Sequence, residues 1–333
     1  MLRQILVPLD GSVLAEMALP NAVTMARTTA SSLILLQVVP SAWHSRSIVT
    51  QSQKEAADAV QAYLLGIERQ LRTEGIEVTS RVREGEPAKV IVSEAAQDPS
   101  ITAIVMSTHG RSGLGRLFFG SVSEKILHAS PLPLLLVRPE ESKERPQHPY
   151  KGTYSTIMVP LDGSVLAEQA LEEARLLAIA TEASVVLVSA TPPLAVIGMS
   201  IYMEATSYQL YADAWEEEAA RLARYLREKA DSLRTSGLQV KTQMAYGNPA
   251  AVILEAVDQV EPDLVVMSTH GGGSSGAFQG PQELLLGSVA LKVVQEARLP
   301  VLLIPVRDSP APYEPIEQAV EASSEPSAKT AQT

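Results

Sequence analysis

The chain states the same pattern twice. VPLDGSVLAE fills residues 7–16 and recurs letter for letter at 159–168. GEPAKVI at 85–91 answers GNPAAVI at 247–253, MSTHG at 106–110 returns at 267–271, and PLPLLLV at 131–137 answers RLPVLLI at 298–304. The offset between copies, roughly 150 residues, is the size of an ordinary domain rather than of a solenoid module. The 333 residues therefore read as two domains, 1–138 and 154–307. Between them 139–153 (PEESKERPQHPYKGT) is polar and Pro-containing, the composition of a linker. Residues 308–333 carry few apolar groups at any period and read as a disordered acidic tail.

Within each copy, short apolar runs alternate with helical periodicity. In the first, QILVPL reads as a buried strand ending at Asp10. Residues 12–30 repeat apolar groups at helical spacing, with Pro20 expected to bend that helix. SLILLQVV is a second strand, 52–74 an amphipathic helix stopped by Gly75, and EVTSRVRE an alternating strand with one wet face. Residues 87–97 form a helix opened by Pro87. ITAIVMS, a helix at 120–129 and PLLLVR complete the copy. Strictly alternating β and α elements imply a parallel sheet with helices on both faces, wound by right-handed crossovers. The fold class is α/β, doubly wound, with one five-stranded parallel sheet per repeat. The apolar last strands, PLLLVR and PVLLIPV, are edges that invite pairing. They are expected to join the two repeats by antiparallel contact between residues near 133–138 and 300–306.

Charge narrows the partners. The net charge is −11 and aromatics make up 4% of the chain, which argues against a nucleic-acid surface. The charge is uneven: residues 1–138 carry 13 Lys and Arg against 12 Asp and Glu, a net of +1, while 154–307 carry 10 against 18, a net of −8. There is no cysteine, so disulfides and thiolate chemistry are excluded. No apolar run approaches the ~18 residues of a membrane span, and the start reads as no signal peptide. A cytoplasmic, soluble protein is expected.

Ligands of doubly wound sheets bind beyond the C-terminal strand ends. Asp10, Gln37 to Val39 and Ser107 to Gly110 lie there, and Gly120-Ser121 opens the following helix. A helix start offers free N–H groups and about half a positive charge. Gly110, Gly113 and Gly115 let the loop curl with its amides inward, and Arg111 and Arg116 add charge. Together these build a phosphate site. A Gly-rich turn with a serine cap is the bland alternative for a lone Gly-Ser; the other strand ends tip the balance.

VPLD at 7–10, VIVSEA at 90–95 and IVMSTHGRSG, with nine residues between Gly110 and Gly120 and Ser121 next, resemble the universal stress protein family in tandem form. The resemblance covers about 2–138 and 154–307, with Ser107 standing where the family pattern has its first glycine. It implies a Rossmann-like strand order 3-2-1-4-5 and an ATP site, with or without magnesium. Adenine would lie against backbone near Val38, and the ribose toward Asp10. The phosphates would meet Gly110, Gly120, Ser121 and the amides of Val122 and Ser123. Pro8, Ser107, His109 and Arg111 complete the expected adenine-nucleotide site. A homodimer is left open.

Other motifs fall short. No Gly-Lys pair exists for a Walker loop. Gly271, Gly273 and Gly276 match a dinucleotide fingerprint, but Gly280 and Pro281 follow where a helix should start. His109 and His270 recur without a carboxylate orienter and are expected to face solvent; His44, His128 and His148 lack metal-ligand spacing. The Met- and Tyr-bearing stretch 199–215 reads as the lead-in to a helix. With no complete catalytic set, the chain reads as an ATP-binding regulatory protein of the stress response and not an enzyme, weak hydrolysis staying open. A ligand-free dimerising scaffold and an ATP-using enzyme are the alternatives. In the second copy fifteen residues separate Gly271 from Gly287, none basic and Glu283 acidic, so ATP should bind there weakly or not at all.

Deleting the chain from Ser309 onward should leave the melting temperature and ATP binding unchanged. Ordering each residue costs ~1–2 kcal/mol and the tail has little apolar surface to offset it. A fall of several degrees on truncation would show that the tail docks.

Overall fold

The computed structural model describes residues 3–40, 51–110, 119–139, 153–191, 205–271 and 286–306. The first repeat runs β1 (Gln4–Leu9), α1 (Val13–Glu16), α2 (Leu19–Thr28), β2 (Ser32–Val39), α3 (Gln51–Thr73), β3 (Val78–Glu84), α4 (Pro87–Gln97), β4 (Ile101–Ser107), α5 (Ser121–Ala129) and β5 (Leu134–Val137). The second runs β6 (Thr156–Pro160), α6 (Val165–Thr181), β7 (Ser184–Thr191), α7 (Ala205–Thr235), β8 (Val240–Tyr246), α8 (Pro249–Val260), β9 (Leu264–Ser268), α9 (Ser288–Glu296) and β10 (Val301–Ile304).

The central strands are continuous apolar runs because both faces are covered. Alternate residues sort to opposite sides. Ile5, Val7, Leu33 and Leu35 pack with Ala22, Val23, Leu64 and Leu71 of α2 and α3. Leu6, Ile34 and Leu36 pack with Ile91, Ala95 and Ile126 of α4 and α5. Parallel ladders order the first repeat β3-β2-β1-β4-β5 and the second β8-β7-β6-β9-β10, the 3-2-1-4-5 winding in both.

The helix expected over 12–30 is corrected. It is broken rather than bent, into α1 and α2, with Pro20 in the first turn of α2. Proline has no N–H for the carbonyl one turn back, and its ring crowds that carbonyl. The second repeat supplies the control: Glu172 stands at the matching position, and α6 runs unbroken over 17 residues. The stretch 205–215 opens α7, a helix of 31 residues; 199–204 lies outside the described residues, as do Arg111, Gly113, Gly115 and Arg116, the Gly273–Glu283 loop positions, His44, His148 and the tail.

The two repeats join edge to edge. β5 pairs antiparallel with β10 through Val301↔Leu136, Leu302↔Leu135 and Leu303↔Leu134, and the result is one ten-stranded sheet. This is the contact expected between 133–138 and 300–306. Arg138 fastens it from outside, its Nη1 donating to the Gln295 carbonyl at 2.6 Å. Since each half is parallel within itself, the single antiparallel ladder sets the strands of the second repeat against those of the first. Their C-terminal ends therefore lie at opposite rims of the sheet. No helix of the described residues is long and apolar enough to cross a membrane.

Leu302 and Leu135 are each 1% exposed at this joint. Leu302→Ala should lower unfolding free energy by about 2–5 kcal/mol, the usual range for a buried leucine. Urea unfolding checks it; an unchanged midpoint would show that the ladder adds no stability.

Candidate functional site

The site begins with a turn. After β1, Gly11 takes φ +82°, a left-handed conformation that suits glycine. The chain doubles back so that Asp10 Oδ1 accepts from the Ser12 backbone N–H at 2.9 Å and from the Ser12 hydroxyl at 2.6 Å. Ser12 Oγ in turn caps α1 by accepting from Ala15 N–H at 3.2 Å. The second repeat builds the same turn, with Gly163 at φ +82° and Asp162 accepting from Ser164, which caps α6.

Across the gap, β4 ends at Ser107 and delivers Gly110 to Asp10. A methyl group on Gly110 would fall onto Asp10 Oδ2, so any side chain there must displace the carboxylate that Ser12 orients. The same holds for Gly271 under Asp162 Oδ2. The helix start is held just as firmly. Gly120 N–H donates to the Thr108 carbonyl at 2.9 Å, and the Ser123 hydroxyl donates to the carbonyls of Thr108 at 2.7 Å and Gly120 at 2.8 Å. Gly120 carries no side-chain cap, so the first amides of α5 stay available. Lys125 on α5 donates to Glu86 Oε1, and that hydrogen bond holds the Glu86 carboxyl below its usual range.

Between these elements lies a cavity of about 270 Å³. Pro8, Asp10, Val38, Ser107, His109, Gly110, Gly120, Ser121, Val122 and Ser123 all line it, with Leu36, Ile91 and Met106 forming apolar wall. Arg111 lies outside the described residues. The solvent-facing histidine expected from sequence is corrected: His109 lines the cavity, its Nδ1 lies 2.9 Å from Thr108 Oγ1, and its Nε2 is buried without a partner. His270 is likewise buried. The resemblance places His109 at this site; the solvent-facing reading fails because the covering comes from packing between segments far apart in the chain.

The second repeat has a crevice at the matching place, of about 540 Å³. Its lining includes Asp162, His270, Gly271, Gly287 and Ser288, and it also takes in Ser189, Thr191, Glu218 and Leu222. Its only charged lining residues among those described are acidic. Burial pushes the Tyr225 phenol above its usual range, and the negative charges of Glu168 and Asp162 add to this. Among the described residues no group of three His, Asp or Glu gathers as a metal site.

A doubly wound unit repeated in tandem, each copy with a Gly-Ser helix start facing a strand-end aspartate, defines the class. The model of the universal stress protein family matches residues 1–138 and 153–305, and the chain belongs to that family. A universal stress protein of Mycolicibacterium smegmatis is 25% identical over 263 residues, spanning 78% of this chain and 76% of the relative. One from Methanocaldococcus jannaschii is 28% identical over 154 residues, 46% of this chain and 84% of its own. A solved universal stress protein from Archaeoglobus fulgidus superposes with a TM-score of 0.64 at 17% identity, covering 91% of this chain and 98% of that one. At that identity the likeness is one of fold.

The two glycines of the first crevice should behave differently. Gly120 sits at φ −64°, open to any residue, and a methyl group there meets nothing among its nearest neighbours closer than 3.5 Å. Gly120→Ala, which only exchanges glycine for a poorer helix cap, should therefore lower the melting temperature slightly, whereas Gly110→Ala, which collides with Asp10, should lower it more. Equal melting temperatures for the two variants would contradict the close approach.

Proposed function

We propose that the chain is a nucleotide-binding regulatory protein that takes one ATP in the first crevice and turns it over slowly or not at all. The observation that carries this reading is the convergence of an uncapped helix start, two strand-end segments and an aspartate on one cavity. Adenine would lie against the Leu36, Val38 and Met106 side of the wall. Asp10 would accept from the ribose hydroxyls, its Oδ1 already being oriented by Ser12. The amides after Gly120 and the side chain of Arg111 would hold phosphate, and a magnesium ion would accompany the nucleotide's own phosphates. Fixed N–H groups at a helix start need no reorganisation to meet an anion, which makes the crevice a holder of nucleotide. His109 Nε2, buried without a partner, is available to a ligand heteroatom. Under this reading the protein works in the cytoplasm, its two domains being 1–138 and 154–307.

Charge separates the crevices. An arginine near a phosphate gains on the order of 4 kcal/mol at 4 Å if the effective dielectric is ~20, and much less in full solvent. The first crevice is followed in sequence by Arg111 and Arg116; the matching stretch of the second has no basic residue. A loss of only ~1.4 kcal/mol is a tenfold loss of affinity.

Calorimetry on the full chain should therefore find about one ATP per chain. Gly120→Asp should abolish the heat and Gly287→Asp should barely change it. Two equal sites, or loss only in the Gly287 variant, would refute the assignment, and no heat at all would favour a ligand-free scaffold.

A further inference from the structure

The second crevice is a rebuilt site and not a decayed copy of the first. Register aligns the two repeats residue by residue: Ser32 and Leu33 correspond to Ser184 and Val185, and Val78 corresponds to Val240. Counting along the strands, Gln37 is replaced by Ser189, Val39 by Thr191, and Glu84 by Tyr246. All three changes fall on the same face of the sheet, because strand residues two apart share a face. That face is covered by α7, whose Trp215, Glu218 and Leu222 are spaced to lie along one side of the helix.

The replacements work together. Ser189 and Thr191 line the cavity, are 2% and 1% exposed, and carry hydroxyl oxygens with no hydrogen-bond partner. A buried polar group left unpaired is disfavoured by about 1–3 kcal/mol, and two side by side at a cavity floor call for a polar occupant. Tyr246 pairs in register with Thr191, is 59% exposed, and stacks on Trp215 with ring centroids 4.8 Å apart. The aromatic pair thus stands at the margin of the cavity, Trp215 lying one helical turn before the lining residue Glu218. Val188, Ala190, Ile253 and Met267 supply apolar wall.

The charge is wrong for a polyanion. Asp162 and Glu218 line the crevice, and the nearby guanidinium of Arg221 is already forked onto Glu218, with Nε and Nη2 at 2.8 and 2.6 Å. The segments 192–204 and 272–285, which follow β7 and β9 in sequence, contain no Lys or Arg. The turn that presents Asp162 over Gly271 nonetheless matches that of Asp10 over Gly110.

We infer that the second crevice binds a nucleoside without phosphate groups. Its ring goes against the apolar wall at the strand end, and its hydroxyls or ring nitrogens pair with Asp162, Ser189 and Thr191, all of which line the same crevice. The choice of a nucleoside among ring-bearing polar molecules rests on the reading of the first crevice; the experiment separates the two. Trp43 and Trp215 are the only tryptophans, so a Trp43→Phe chain reports from Trp215, beside the second crevice. Adenosine titrated into that chain should give a saturable fluorescence change, and ATP should give the same change at least tenfold more weakly. Gly120→Asp should leave this signal intact while removing the ATP heat from the first crevice, so either reading can fail alone.

Thr191→Val, which discards an unpaired hydroxyl at constant shape, should hold or raise the melting temperature of the free protein, and with Ser189→Ala should weaken adenosine at least tenfold. Ser189→Ala alone, the milder change, should weaken it in the same direction. Absence of a saturable change, equal response to ATP and adenosine, or an adenosine response untouched by these variants would overturn the inference. A lowered melting temperature with unaltered adenosine response would make the hydroxyls structural, and would overturn it too.

Discussion

Three backbone pairs between β5 and β10 turn two folded units into one sheet. Each unit alone would end in a strand of leucines and valines with an open edge, a template for pairing with any other chain. Joining the two edges satisfies both sets of backbone groups and places Leu134, Leu135, Leu136, Val301, Leu302 and Leu303 among the most buried residues of the molecule. What remains at the outer edges is of another character. β3 carries Arg81, Arg83 and Glu84, and β8 carries Lys241, Thr242 and Gln243. Arg81 and Arg83 are engaged by Glu94 of α4 and Asp98 just beyond its end. The apolar edges face inward and the charged ones outward, which favours closure within the chain over growth of the sheet.

The same economy appears at the strand ends, where one turn does two tasks. Asp10 and Asp162 orient the start of a helix through a serine and at the same time press against a glycine of the neighbouring strand end. The carboxylate is thereby held between two segments that also line the crevice. Repetition of this turn in both units shows that the frame was retained while the wall around it diverged: Ser123 binds two carbonyls in the first unit, and Ala290 stands in its place in the second.

Much of this architecture was legible in the sequence. Repeated VPLDGS, uninterrupted apolar strands and Gly-Ser helix starts lead to the winding, the sheet order and the residues that line the first cavity. The misses have physical causes. Pro20 reads as a bend because helical spacing of apolar residues continues through it, yet the missing donor outweighs the periodicity. His109 looked solvent-facing because its cover comes from residues on several elements. Ser189 and Thr191 do leave a signal: set beneath SLILLQVV, the strand SVVLVSAT turns polar at two alternate positions near its end. Periodicity identifies the strand in both cases and says nothing of what its end must touch.

The antiparallel joint also determines what the two crevices can say to each other. They sit over the β1–β4 and β6–β9 junctions, four strands apart in the sheet order, or roughly 19 Å at ~4.8 Å per strand, and they open at opposite rims. Salt screens charge over ~8 Å at physiological ionic strength, so through solvent a charge in one crevice is felt only weakly at the other. A mechanical link between them would run through the packed leucines of β5 and β10. The two crevices thus face away from each other on one continuous ten-stranded sheet.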